Sequence, residues 1–155
     1  MQFAHILCVL GSPNLILTSL LQTATQNWQL FTNLNIIDKC PKNLTGVSSI
    51  DLQAENSLNP GLTRFKTDGI IEVEIDSNRL EFAGNIYNVI LHEIGHVFGL
   101  KHPDPPNESI MSYTLRVNAH TGDMVPDSYR AIIPYAWPTI YSNSSLNTEL
   151  GSNLG

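Results

Sequence analysis

An α+β domain is predicted by three observations on the 155-residue chain: five short runs with strand-like patterning, two stretches whose apolar residues recur at helical spacing, and a third helix-like stretch near the C-terminus. The length is that of one domain. A 42% hydrophobic content and a net charge of -6 are those of a soluble globular protein. With 8 Lys and Arg against 14 Asp and Glu, a phosphate backbone is an unsuitable partner, so nucleic acid is not expected. No run reaches the roughly 18 apolar residues that a membrane span requires. A monomer without membrane contact is expected.

Phe3 to Leu10 is a short apolar run closed by Gly11-Ser12-Pro13-Asn14, as in a buried strand that turns into a helix. Leu17, Leu20, Leu21, Ala24, Trp28 and Phe31 then repeat at helical spacing, with Ser12 or Asn14 as the cap. Leu34 to Cys40 gives a second strand, ended by Pro41, and Val47 to Gln53 a third. After the Asn59-Pro60-Gly61 turn, Leu62 to Lys66 forms a short edge strand. Ile70 to Ile75 sets its apolar residues against Glu72 and Glu74, the alternation of a half-buried strand. From Asn85 to Leu100 the period returns to that of a helix, with Ile86, Ile90, Ile94 and Val97 on one side and Gly99 placed to end it. Pro103, Pro105 and Pro106 forbid continuation, and 103 to 125 reads as irregular chain. Pro126 and Asp127 open a third helix that runs to Tyr135 and is stopped by Pro138. The domain is expected to span 1 to 141, and 142 to 155, rich in Ser, Asn and Gly, reads as a flexible tail.

The chemistry concentrates in His92-Glu93-Ile94-Gly95-His96-Val97-Phe98-Gly99-Leu100-Lys101-His102. Residues four apart share a helix face, so His92 and His96 can aim both imidazoles at one ion. Glu93 is turned about 100° from His92, near enough for its carboxylate to serve a water at the metal without occupying a ligand position. The next position on the ligand face is Leu100, which cannot bind a metal. A left-handed Gly99 ends the helix and swings His102 back as third ligand. Three neutral imidazoles with a fourth position open describe a catalytic rather than a structural zinc site. A bare His-Glu-x-x-His is a moderate signal, since an amphipathic helix can carry two surface histidines. At this chain's own composition the extended pattern arises by chance in about one sequence in 100,000.

His92, Glu93, His96, Gly99 and His102 match the metzincin motif H-E-x-x-H-x-x-G-x-x-H, and the chain resembles that clan of zinc proteases. The resemblance implies a twisted, mixed five-stranded sheet with a backing helix, an active-site helix and a C-terminal helix. It also implies one catalytic zinc ion and a protein or peptide substrate cleaved by a metal-activated water, with Glu93 as general base. Ser109-Ile110-Met111-Ser112-Tyr113 resembles the methionine turn beneath the zinc, with Met111 as its floor; a Met in a loop is otherwise core. His102-Pro103 and Met111-Ser112-Tyr113 resemble the serralysins, which implies a catalytic role for Tyr113. The short interval from His102 to Met111, the first helix with Trp28, the strand before the active-site helix and the final helix at Pro126-Asp127 resemble the matrixins. The Ile70 to Ile75 strand, if it is next to the cleft, would hold an extended peptide by strand addition, and the resemblance implies that Tyr113 to Leu115 wall the adjoining pocket.

Departures narrow that reading. There is no cysteine-switch motif, a first strand at Phe3 leaves no room for a propeptide, and beyond the three ligands only His5 and His120 remain, too few for a second zinc. Asp76 and Glu81 fall where matrixins bind calcium, so a calcium ion stands beside the plainer reading as solvated loop carboxylates. Cys8 and Cys40 are either two buried thiols or a bridge, and a bridge requires an oxidising compartment. The resemblance favours secretion, and the three sequons at Asn43, Asn107 and Asn143 suit it, but no Lys or Arg precedes Lys39 to form the charged start of an export signal. Two rival functions remain: an inactive zinc-binding interaction module, and a zinc hydrolase acting on small esters or amides.

Overall fold

The first strand lies inside the sheet, with its neighbours in sequence on either side of it. In the computed structural model, residues 5–43, 46–56, 59–80, 83–102 and 110–111 are described, together with the backbone of three short strands nearer the C-terminus. β1 (His5–Val9) pairs in parallel with both β2 (Leu34–Ile37) and β3 (Ser49–Asp51). β3 pairs in parallel with β5 (Ile71–Ile75), and β4 (Gly61–Phe65) closes the sheet antiparallel to β5. The order β2-β1-β3-β5-β4 is thus a mixed five-stranded sheet, as expected. Two helices, α1 (Leu15–Gln29) and α2 (Ala83–Val97), complete this α+β unit. α1 lies against β2, α2 lies against β4 and β5, and the helices pack on one another, so they cover the same face.

Local chemistry accounts for these elements. Asn14 caps α1 by accepting the Leu17 N–H on its side-chain oxygen at 2.9 Å. Leu17, Leu21, Ala24 and Trp28 are buried, while Leu20 and Phe31 pack half-buried at the margin. In β5, Ile71, Val73 and Ile75 are buried beneath α2. Glu72 and Glu74 point the other way and pair with Lys66 and Arg64 at 3.1 and 2.8 Å. From Asn85 to Val97 every residue of α2 except His96 is buried, so this helix is the core's central element rather than a surface helix.

Cys8 and Cys40 form a disulfide with Cα atoms 4.8 Å apart, which decides between the two readings of the sequence. The topology gives it a task. The connection from β2 to β3 must pass the C-terminal end of β1, and there Cys40 is held both by the bridge and by its N–H donating to the Val9 carbonyl at 3.0 Å.

A second sheet contains β6 (Arg116–Asn118), β7 (Met124–Val125) and β8 (Leu146–Glu149) in the order β7-β6-β8. Composition made 103–125 irregular and 142–155 a free tail. β6 and β7 fall within 103–125 and β8 within 142–155, and backbone pairing across sequence-distant segments leaves no mark in short polar runs. The expected helix from Pro126 to Tyr135 lies outside the described residues. Asp76 is buried, and its carboxylate accepts the Asn56 N–H at 3.0 Å, a structural use that lends calcium no support. Glu81 lies outside the described residues. Among the described residues no helix is long and apolar enough to cross a membrane.

Candidate metal centre

α2 carries His92, Glu93 and His96, and the way the helix ends determines where His102 goes. Gly99 adopts φ +85, and the Leu100 and Gly99 N–H groups return to the carbonyls of Gly95 and His96 at 3.2 and 2.9 Å. This is the paired closure that a left-handed residue after a helix permits. The reversal brings His102 over the helix face that bears the other two imidazoles.

The three Nε2 atoms form a triangle with every edge 3.2 Å. The Nδ1 atoms of His92 and His96 lie 2.7 Å from the carbonyl oxygens of Ile110 and Leu100. A carbonyl can only accept, so each Nδ1 carries the proton, and in the neutral rings each Nε2 presents a lone pair to its neighbours. Lone pairs at that distance repel unless a cation lies among them. A tetrahedral zinc site with bonds of about 2.0–2.1 Å requires nitrogens roughly 3.3–3.4 Å apart, so the donor set fits zinc in both type and spacing. The two carbonyls are the outer partners that fix ring orientation in such sites. His92 is buried, and His96 and His102 are partly exposed, which leaves one side of the triangle open to solvent.

Glu93 is fully buried beside this triangle. Its Oε1 accepts the Thr63 hydroxyl at 2.8 Å, whereas Oε2 has no hydrogen-bond partner among the described residues and lies 3.9 Å from His92 Nε2. Burial pushes its carboxyl well above the usual 4.5, and the Thr63 hydrogen bond pulls in the opposite direction. A buried carboxylate oxygen with nothing to bind costs free energy. Oε2 is turned towards His92 Nε2, so a group held among the three imidazoles would be in place to satisfy it.

Beneath the triangle, Ile110 and Met111 are fully buried. A side chain on Gly95 would overlap the Met111 sulfur and stand 3.2 Å from Trp28 Cζ2, so the helix touches its floor only because residue 95 has no Cβ. Trp28 supports the same turn of helix by donating its indole N–H to the Leu91 carbonyl at 3.0 Å. The sequence reading did not single out Gly95, although a glycine in a helix interior, which costs about 1 kcal/mol, is a signal of close approach. Thr63 and the Ile110 carbonyl had no such signal, because one acts across a strand-helix contact and the other through its backbone. Tyr113 and Leu115 lie outside the described residues.

The structure corrects the expected peptide-holding strand. β5 has partners on both sides, β3 and β4, so Ile71–Ile75 has no free edge. Among the described residues β4 does, and it is the strand that reaches Glu93.

No curated protein matches the chain in a sequence comparison. The pattern of one protein family, Matrixin, matches residues 23–133, more than two thirds of the sequence, and takes in the C-terminal half of α1, the strands β2 to β5 and the whole histidine cluster. The fold, the histidine triangle and this match agree, and they suggest zinc peptidase ancestry: the chain belongs to the matrixin family.

Proposed function

We propose that the protein is a zinc-dependent endopeptidase in which His92, His96 and His102 hold the metal and Glu93 is the general base. The observation that carries this reading is the pairing of a three-nitrogen triangle of 3.2 Å edges with a buried carboxylate oxygen, Oε2, turned towards it. When bound, zinc supplies a Lewis acid that polarises a peptide carbonyl and makes water more acidic. Glu93 Oε2 takes the proton from the attacking water and returns it to the leaving amine. Its raised proton affinity suits the second half of that cycle, since the carboxyl must hold the proton long enough to deliver it.

The substrate is an extended peptide laid along β4. The Asp76 N–H bonds the Pro60 carbonyl and the Lys66 N–H bonds the Ile70 carbonyl, both at 2.8 Å. Pairing alternates along an antiparallel ladder, so the main-chain groups of Gly61, Thr63 and Phe65 face the free edge and are available to a peptide. Phe65, 61% exposed, gives that edge an apolar contact.

Digestion of a peptide library tests the proposal. Cleavage is expected from the zinc-loaded chain, with loss on chelation and return on adding zinc. One zinc per chain without turnover would instead identify an interaction module, and cleavage of small esters alone would identify a different hydrolase.

A further inference from the structure

We infer that Thr63, seated beside Gly61 on β4, is a positioning residue that dictates which oxygen of Glu93 moves the proton; this rests on the proposed role of Glu93 as base. α2 fixes the Glu93 Cα, but three rotatable bonds still separate it from the carboxylate, and among the described residues the side-chain hydrogen bond that holds the carboxylate comes from β4. The Thr63 hydroxyl, which has one proton to give, stands 2.8 Å from Oε1 and 3.1 Å from the Glu93 carbonyl; the shorter contact, to a group that can be charged, is the stronger. Two residues back on the same face, Gly61 makes room for the rest of the side chain. A Cβ there would stand 2.8 Å from both Cγ and Oε2 of Glu93 and 2.6 Å from Val89 Cγ1.

The two contacts have opposite effects on the two oxygens. Oε1 is occupied, whereas among the described residues Oε2 has no hydrogen-bond partner, and it lies 3.9 Å from His92 Nε2. Thr63 therefore leaves Oε2 as the proton-carrying atom and prevents the carboxylate from rotating its occupied oxygen into the site. The same residue offers its main-chain N–H and C=O to the free edge where the peptide is proposed to lie. Docking and base alignment thus meet at one residue, with its backbone serving the substrate and its hydroxyl serving the base. Thr63 touches neither water nor scissile bond in this scheme.

The test compares Thr63→Val, which keeps the shape and removes the donor, with Thr63→Ser, which keeps the donor, both as zinc-loaded full chains. Thr63→Val is expected to lower kcat about tenfold or more, as loss of a hydrogen bond to a charged group does. KM should stay within about twofold, because backbone docking is retained, and zinc content should equal that of the wild type. Thr63→Ser should restore kcat. A crystal structure of Thr63→Val should show the Glu93 carboxylate rotated. Wild-type kcat in Thr63→Val, a loss confined to KM, loss of zinc, or an unmoved Glu93 would each overturn the inference. If the wild type itself cleaves no peptide, the endopeptidase reading fails, and the crystal structure alone still decides whether Thr63 holds the carboxylate.

Discussion

Removing the Cys8–Cys40 bridge is expected to cost a large share of the protein's stability. The cysteines are 32 residues apart in sequence. Opening a closed loop of that length returns about 12 cal/mol/K to the unfolded chain, or about 3.7 kcal/mol at 25 °C. For a domain of this size that lowers the melting temperature by roughly 7–15 °C. The native state loses little to offset this, since the Cys40 N–H still bonds the Val9 carbonyl and the strands remain paired. The clean perturbation is the Cys8→Ala/Cys40→Ala double variant, because thiol reductants also bind zinc. Melting is followed by circular dichroism with both proteins zinc-loaded. A double variant that melts within about 2 °C of the wild type would refute the claim that the bridge constrains the β2–β3 connection. The bridge also predicts maturation in an oxidising compartment.

Two further outcomes follow from the centre itself. Gly95→Ala should lower the melting temperature, although helix propensity alone predicts a gain of up to about 1 kcal/mol, because the new methyl collides with the Met111 sulfur and crowds Trp28; a variant as stable as the wild type in thermal melts would show that the floor yields freely. In the metal-free protein, Glu93→Gln should be more stable than wild type near neutral pH. The fold raises the Glu93 carboxyl above its unfolded value, so no stability is lost below the usual 4.5, and stability falls as pH rises past it towards the raised value. Melts of both proteins from about pH 4 to pH 8 should show the advantage of Glu93→Gln shrinking to nothing at the acid end.

Much of this architecture is written in local patterns. The strands and helices of the first hundred residues follow from alternation, helical period and caps, and they sit within a few residues of their expected bounds: Asn14 caps α1 and Gly99 turns the chain after α2. The convergence of His92, His96 and His102 was legible for the same reason, since helical spacing and one glycine bring them together. What escaped was non-local. Nothing in Gly61-Leu62-Thr63 announces that this strand packs against Glu93 thirty residues later, and the Ile110 carbonyl that steers His92 is a backbone group that any residue could supply. The choice of Ile70 to Ile75 as the docking strand failed because alternation reveals which face is buried but not which strand is at the edge.

Peptide turnover by zinc-loaded Glu93→Ala tests the central claim most directly. Its histidine triangle and their carbonyl partners are untouched, so it should hold one zinc per chain while turnover falls about 10²–10⁴-fold, the contribution of a positioned general base. Turnover equal to that of the wild type, with zinc in place, would contradict the assignment of Glu93.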